Sequence, residues 1–229
     1  MASNSSTTTK PVLSLETLRT EAAAFAEAET LHDEPSLYGV DNGKAVGTYL
    51  EHKFVSCLMD KYTFAGGNSA LGIDIPQLGV DIKVTSQKQP QSSCPFRSAR
   101  QKIYGLGYHL IIFVYDKSDN PATKTSRLTM TSTIFVDAAQ TADFQTTKGI
   151  RDILERNGNE DDLLAFIEER RLPVDEIEAA AIAKELLKTP PMLGYLTISN
   201  ALQWRLQYSR VIDAAGTVPG IYRIYTNAS

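Results

Sequence analysis

The chain has 229 residues, a formal net charge of −4, and 42% hydrophobic and 22% charged residues, which is an ordinary composition for a globular protein. It is long enough to bury a core as one large domain, or as a catalytic domain with a small appendage. No apolar run approaches the roughly 20 residues of a membrane span, and the Ser/Thr-rich start lacks the apolar core of a signal peptide. Cys57 and Cys94 lack the spacing of a metal clip and indicate reduced thiols, so we expect a cytoplasmic protein.

The charges are unevenly distributed along the chain. Residues 88–127 carry seven basic and two acidic side chains, whereas residues 151–188 carry six basic and eleven acidic ones. A binding face needs local rather than net charge, so the acidic total does not exclude a nucleic-acid partner. The acidic segment is either a dimer contact or an outer face, and the sequence does not decide between the two.

The first 90 residues predict two helices and then a hairpin. Residues 12–31 are rich in Ala, Leu and Glu and favour a helix. Residues 44–62 carry apolar side chains at steps of three and four, which predicts an amphipathic helix packed on a core. The runs "LGIDI" and "GVDIKVT" are strand-like, and "PQLG" supplies Pro and Gly for a reversal between them. The apolar stripe of the second helix comprises Val46, Leu50, Phe54 and Leu58.

The middle of the chain predicts a basic helix in "FRSARQKIYGLGYH", a central strand in "LIIFVYD" and another strand in "RLTMTSTIFVDA". From Gly149 onward the pattern turns helical in three segments, and prolines end the last two. This order indicates an α/β fold, a mixed β-sheet core flanked by helices, with a mostly helical C-terminal part.

The last 33 residues have a different pattern. Residues 197–216 favour a helix with Ser199 as N-cap, and "TVPGIYRIYTN" alternates as an edge strand does. A helix followed by a short hairpin is the outline of a winged helix. In that arrangement Gln203, Arg205 and Arg210 could line a recognition helix.

Three charges interrupt the predicted hairpin. Asp81 and Lys83 point to the same face of their strand because the period is two, and Asp74 comes from the adjacent run. Three charges beside apolar runs are costly to desolvate unless something bound there pairs with them. Two carboxylates suit Mg²⁺, which prefers oxygen ligands, and the lysine could orient or deprotonate an attacking water. The alternative is a solvent-exposed hairpin with an ion pair between its strands.

The stretch "IDIPQLGVDIKVTS" resembles the active-site signature of the PD-(D/E)XK nuclease superfamily, which includes most type II restriction endonucleases. The six residues between Asp74 and Asp81 are similar to the gap in its short-gap members, among them the mismatch-repair strand-nicking endonuclease. "VGTYLEHKF" resembles the helix that places a glutamate near the metals, which would make Glu51 the fourth member of the site. The resemblance covers residues 44–116. This sequence departs from the family signature in two ways. The proline follows the first aspartate instead of preceding it, and the acid of the (D/E)XK part is Asp rather than Glu.

This resemblance implies Mg²⁺-dependent hydrolysis of double-stranded DNA at a specific short sequence, leaving 5′-phosphate and 3′-hydroxyl ends. It implies Glu51, Asp74 and Asp81 as metal ligands and Lys83 as the residue that positions the water. A homodimer is expected by analogy, since palindromic sites mirror two-fold symmetry. The corresponding division of the chain is an N-terminal helical segment at 1–35, a catalytic core at 36–148 and a helical region at 149–229.

Polar and cationic side chains follow the predicted catalytic strand. Lys and Arg neutralise phosphates, while Gln and Arg read base edges, so we expect DNA contacts here. A DNA repair or junction-resolving nuclease of the same fold, and a non-enzymatic DNA-binding regulator, remain alternatives. The chain has no G-x-x-x-x-G-K-[ST] phosphate loop, so we expect no nucleotide cofactor. The polar and cationic residues of this stretch are Gln87, Lys88, Gln89, Gln91, Arg97, Arg100 and Lys102, and the predicted DNA contacts among them are Gln87, Lys88, Arg97, Arg100 and Lys102.

Overall fold

A computed structural model describes residues 10–65, 72–94, 98–199 and 205–227. Within these ranges the helices are α1 (Leu15–Thr30), α2 (Gly43–Lys61), α3 (Ala99–Tyr104), α4 (Phe144–Glu155), α5 (Glu160–Glu169), α6 (Glu176–Lys188) and α7 (Ser209–Ala214). The strands are β1 (Asp33–Glu34), β2 (Val80–Ser86), β3 (Gln91–Ser93), β4 (His109–Asn120), β5 (Thr125–Val136), β6 (Thr197–Ile198), β7 (Arg205–Gln207) and β8 (Ile221–Thr226). No helix in the described part of the chain is long and apolar enough to cross a bilayer.

The main sheet is mixed and has five strands. Its order is β1, β5, β4, β2, and β8 also pairs with β5. β2 runs parallel to β4, and the β1, β4 and β8 pairings with β5 are antiparallel. Helices flank this sheet, which confirms the predicted α/β class. Because β2 ends the strand order, the predicted catalytic strand lies at a sheet edge.

Alternate side chains of β4 serve two different cores. Ile111 and Phe113 pack with the buried stripe of α2 and with α1 on one face. Leu110 and Ile112 pack on the other face with apolar residues of β6, β7, α7 and β8. A strand covered on both faces must be apolar throughout, which is why "LIIFVYD" predicted a central strand correctly.

Both N-terminal helices follow directly from their sequences. Ser14 forms a capping box with Thr17 at the start of α1, and the Asn42 side chain caps α2. The apolar stripe predicted for the second helix is buried as expected. Helices α4, α5 and α6 confirm the helical pattern after residue 149, and with α3 they enclose a third apolar cluster.

Two local predictions were wrong. The expected hairpin at 71–85 is reduced to one antiparallel bridge between Ile75 and Val80, with a 3₁₀ turn at Pro76–Leu78 between them. In the described part of 197–216, the expected helix is interrupted by β6 and β7, and α7 is its helical segment. Leu206 is fully buried between the half-buried Arg205 and the exposed Gln207, and this two-residue alternation is that of a strand. The terminal strand that the sequence predicted joins the main sheet as β8.

Candidate active site

A tight turn brings Asp74 back onto β2, the predicted catalytic strand. Gly79 ends the 3₁₀ turn with φ +60°, a left-handed conformation that glycine adopts without strain. The turn places the Asp74 carboxylate so that its Oδ2 accepts a hydrogen bond of 2.7 Å from the backbone N–H of Ile82. That N–H points away from β4, because β2 is the last strand of the sheet. Asp74 therefore lies on the outer edge of β2.

Asp81 and Lys83 project from one face of β2 and pair with each other. The Lys83 Nζ lies 2.5 Å from the Asp81 Oδ2, and the lysine side chain keeps 17% of its surface exposed against 3% for the aspartate. Asp81 is thus a buried carboxylate that pairs with the partly exposed ammonium of Lys83. A buried pair of this kind contributes little net stability, since desolvation offsets much of the attraction.

Glu51 approaches from the opposite side of the same edge. α2 packs on the face of β2 that carries Val80 and Ile82, and Glu51 is half-buried on this helix. The Asp74 carboxyl lies within hydrogen-bonding range of both the Glu51 and the Asp81 carboxyls. The structure therefore brings together all four residues that the sequence singled out, with Asp74 between the other two acids.

Two acids of this cluster, Asp81 and Glu51, resist ionisation, because the fold raises the pKa of each. Burial, assisted by the neighbouring Asp74 and opposed by Lys83, raises the pKa of Asp81 to about 7. Burial and then the negative charge of Asp74 raise the pKa of Glu51. Carboxyls that crowd together out of water gain stability when a positive charge joins them. The electrostatics of the cluster therefore favour the binding of a cation.

The donor set fits a hard divalent cation that is completed by other ligands. Across the described residues, no group of three His, Cys, Asp or Glu side chains is arranged to hold a metal ion by itself. Mg²⁺ is commonly bound by one or two carboxylates, with waters and substrate phosphates filling the remaining positions. Asp74 and Asp81 offer such a pair of carboxylates, all oxygen and no sulfur or nitrogen.

A large open cleft borders the cluster. It has a volume of about 1380 Å³ and is lined by Glu51, Lys83, the start of α2, the β2–β3 turn, β3, the end of β4 and Arg205. Small-molecule pockets usually measure about 300–1,000 Å³, so this cleft suits a larger, extended ligand. Asp74 and Asp81 lie beside the cleft rather than in its lining. Additional positive charge on its walls comes from Lys44, Lys88 and Lys117.

The residues predicted to contact DNA are scattered. Lys88, with 81% of its side chain exposed, and Arg205 line the cleft. Arg100 instead bonds Glu185 at 2.9 Å on α6, and Lys102 is buried in α3. Arg97 and Gln203 lie outside the described residues. Elsewhere, the Gln87 amide oxygen accepts from Thr131, and the Arg210 guanidinium lies 3.7 Å from the Phe144 ring centre.

Sequence reasoning missed a polar layer behind the catalytic strand. Thr85 continues the alternation of Asp81 and Lys83, is buried, and accepts a 2.8 Å hydrogen bond from the Gln91 N–H at the start of β3. Ser92 and the fully buried Tyr208 share a hydrogen bond of 2.5 Å. The period of two in β2 could have indicated Thr85, but Ser92 and Tyr208 meet only through strand pairing that is distant in sequence.

Comparison with known proteins identifies the class. A sequence model of a family described as type II restriction enzyme NspV matches residues 12–223. A type II restriction enzyme is a site-specific endonuclease, and that class suits a carboxylate and lysine cluster beside a wide cleft. The chain belongs to the NspV family of type II restriction enzymes, because this match spans most of its length.

A characterised relative supports the assignment. The type II restriction enzyme NspV from Nostoc sp. (strain ATCC 29411 / PCC 7524) is 62% identical over 216 residues, covering 94% of this chain and 98% of the relative. No solved structure matches the chain. The family favours a restriction enzyme over the repair nuclease and the DNA-binding regulator considered from the sequence.

Proposed function

We propose that this chain hydrolyses phosphodiester bonds of double-stranded DNA at a short specific sequence, requires Mg²⁺, and leaves 5′-phosphate and 3′-hydroxyl ends. The observation that carries the proposal is the convergence of Glu51, Asp74, Asp81 and Lys83 at the edge of the sheet, beside a cleft. The same four residues carry the resemblance to the PD-(D/E)XK superfamily, so we assign the site to that superfamily.

Asp74 and Asp81 are the proposed pair of ligands for the ion, from the edge and from one face of β2. Glu51 on α2 is proposed as a third ligand, which would have to approach the pair, since the described acids form no ready group of three. When bound, the ion supplies charge neutralisation at the phosphate and favours deprotonation of the attacking water. The raised pKa of Asp81, about 7, gives the physical reason for binding, because a bound cation offsets the cost of burying its charge and the repulsion from Asp74.

Lys83 is the proposed group that positions the water and the phosphate. Its ammonium already lies in the cleft lining, 2.5 Å from Asp81, so the carboxylate fixes its orientation. An ammonium is a compact donor of three hydrogen bonds, which suits contact with a water and a phosphate oxygen together. Pre-oriented donors of this type lower the barrier because they need no reorganisation during the reaction.

DNA would enter along the cleft. Lys88 and Arg205 are the predicted contacts that line it, and Lys44 and Lys117 lie on the same walls. Of the predicted contacts in the described part of the chain, Gln87, Arg100, Lys102 and Arg210 lie outside this lining, and DNA would meet them only by extending beyond the cleft. Arg97 and Gln203 stay predictions, because they fall outside the described residues. A homodimer is proposed, since two copies related by a two-fold axis would cut both strands of a palindromic site.

Digestion of phage-sized DNA tests the proposal. Purified protein with Mg²⁺ should give discrete bands whose ends carry 5′-phosphates. Lys83→Ala should lower the cleavage rate by at least about 10²-fold while DNA binding stays measurable, since one preorganised donor is worth that much. Lys184→Ala is the matched control, because this lysine is 64% exposed on α6 and lies far from the cluster in the fold.

Two results would contradict the proposal. Intact DNA with the wild-type chain across a range of salt, with Mg²⁺ or Mn²⁺, would exclude nuclease activity. Unchanged cleavage by Lys83→Ala would show that Lys83 takes no part in the mechanism. Cleavage would then have to depend on the carboxylates without the lysine.

A further inference from the structure

The small antiparallel sheet of β3, β7 and β6 presents a polar strip. In the β3–β7 register, Gln91 lies opposite Gln207 and Ser93 lies opposite Arg205. Side chains of directly opposed residues share one face of a sheet, and successive residues alternate between faces. Ser92 and Leu206 occupy the inner face, where Leu206 is fully buried. The outer face of this strand pair therefore carries the two glutamines, a serine and an arginine, which we call the outer strip.

The outer strip continues directly from the catalytic strand. β2 ends at Ser86, and β3 begins at Gln91 after a short turn. Thr85 holds this turn closed, since its hydroxyl accepts the N–H of Gln91 and lies 3.3 Å from the carbonyl oxygen of Gln89. Gln91, Ser93 and Arg205 line the same cleft as Lys83, and Gln207 lies opposite Gln91 outside that lining. A ligand that fills the cleft therefore contacts three of the four residues of the strip.

The composition of the outer strip suits base edges better than phosphates. A phosphate-binding face is built mainly from lysine and arginine, and only Arg205 of the four carries a charge. A carboxamide offers a donor and an acceptor that match the adenine edge in the major groove, and the arginine fork matches the guanine edge. The major groove, about 12 Å wide, admits a two-stranded ribbon.

We propose that the outer strip of β3 and β7 reads base edges in the DNA major groove, with Gln91 and Gln207 as one reading row and Ser93 and Arg205 as the other. This assignment rests on the proposed function and adds its specificity determinants. The two rows are two residues apart, about 6.6 Å at a rise of ~3.3 Å per residue. That spacing is close to two base-pair steps of ~3.4 Å, so the rows should govern positions about two base pairs apart.

Selection from duplexes with a random core tests the strip directly. Lys83→Ala serves as the parent so that bound DNA survives in Mg²⁺, and the sequences it retains define its preference. Adding Gln91→Ala or Gln207→Ala should reduce that preference about tenfold at one or two positions and leave the others unchanged. Arg205→Ala should do the same about two base pairs away. Gln145→Ala, an exposed glutamine on α4, should change nothing.

A conservative variant keeps the test valid if the alanine variants unfold. Gln91→Glu has nearly the same size and replaces the donor of the amide with an acceptor. Because a carboxylate accepts from cytosine N4, the preferred base at the affected position should shift towards cytosine rather than disappear. The helical and strand content of each variant, measured by circular dichroism, should equal that of the parent.

Three outcomes would overturn the base-reading role. The preference could stay unchanged in both glutamine variants, or affinity could fall uniformly for all sequences, which would indicate a phosphate contact. A changed oligomeric state with an unchanged preference would identify the strip as a protein interface instead. Failure of the proposed function gives a different pattern: the wild-type chain leaves all DNA intact, while the Lys83→Ala parent still selects a sequence that the strip variants alter.

Discussion

Asp81, a candidate catalytic acid, should destabilise the folded chain in the absence of metal, and Asp81→Asn isolates the effect. Folding raises the pKa of Asp81 from 3.8 to about 7, chiefly through burial, so at pH 8 the ionised side chain opposes folding by ~4 kcal/mol. An amide of the same shape has no charge to desolvate. The raised pKa already includes the attraction of the Lys83 ammonium, and the amide oxygen of asparagine can still accept from that ammonium. We therefore expect Asp81→Asn to be more stable than wild type by up to ~4 kcal/mol at pH 8.

The sign of the pH dependence follows from the same shift. Because the folded-state pKa of Asp81 is raised, the folded chain binds more protons than the unfolded chain between about pH 4 and pH 7. The stability contributed by its protonated form is complete below pH 4 and is lost as the pH rises through 7. This group therefore lowers the free energy of unfolding by up to ~1.4 kcal/mol per pH unit in that window, and Asp81→Asn removes this slope.

Urea denaturation in EDTA at pH 5, 6, 7 and 8 measures both effects. Asp60→Asn is the matched control, because this aspartate is exposed near the end of α2. The difference in unfolding free energy between Asp81→Asn and wild type should grow with pH, whereas that of the control should stay flat. If Asp81→Asn were no more stable than wild type at pH 8, or if the difference did not change with pH, the electrostatic reasoning would be refuted.

Three further substitutions test the metal site, the turn between β2 and β3, and the close packing at Gly194. Asp74→Asn should weaken Mg²⁺ binding by at least about tenfold in calorimetry, because it removes the carboxylate shared by the cluster. Thr85→Val should lower the free energy of unfolding by about 1 kcal/mol, because the hydrogen bonds of the Thr85 hydroxyl are lost while the N–H of Gln91 keeps its 2.8 Å bond to the Gln89 carbonyl oxygen. Gly194→Ala should cost about 1–3 kcal/mol or more in thermal or urea unfolding, since the added Cβ would lie 2.2 Å from the Ala142 carbonyl oxygen.

Each of these has a matched control and a contrary result. Asp116→Asn, an exposed cleft residue, should leave Mg²⁺ affinity unchanged, and normal affinity in Asp74→Asn would place the ion elsewhere. Thr20→Val alters an exposed threonine of α1 and should change stability far less than Thr85→Val. Gly43→Ala adds a methyl group with nothing within 4 Å and should be neutral or stabilising. Equal stability of the Gly194→Ala and Gly43→Ala variants would contradict the close packing at Ala142.

The sequence predicted the elements whose signals are local. The apolar stripe of α2 and the continuous apolar run of β4 each fix their own structure, because their periodicity reports what covers them. The four residues of the candidate site were also predictable, since three of them fall in one short stretch and Glu51 lies on the preceding helix. The cluster forms even though the predicted hairpin does not, because the turn at Pro76–Leu78 performs the reversal.

What could not be predicted depends on partners distant in sequence. β3 and β7 are three residues each, and they are strands only because Ser92 pairs with Leu206 across more than 100 residues. In the sequence alone, Leu202 and Leu206 are four residues apart, a spacing that also fits one face of a helix, and nothing local distinguishes a helix from a strand here. The outer strip was therefore read from the sequence as a loop and a helix face.

The hydrogen bond from Ile82 to Asp74 has a consequence for solubility. An exposed edge strand presents unpaired N–H and C=O groups that can recruit another chain and lead to aggregation. A site that admits DNA at a sheet edge cannot cover that edge with a helix, and here the Asp74 carboxylate occupies the N–H of Ile82 instead. The negative charge also repels a second copy of the same edge. Loss of this carboxylate should therefore promote self-association of the chain in addition to weakening metal binding. Asp74 would thus protect the edge strand from pairing with another chain.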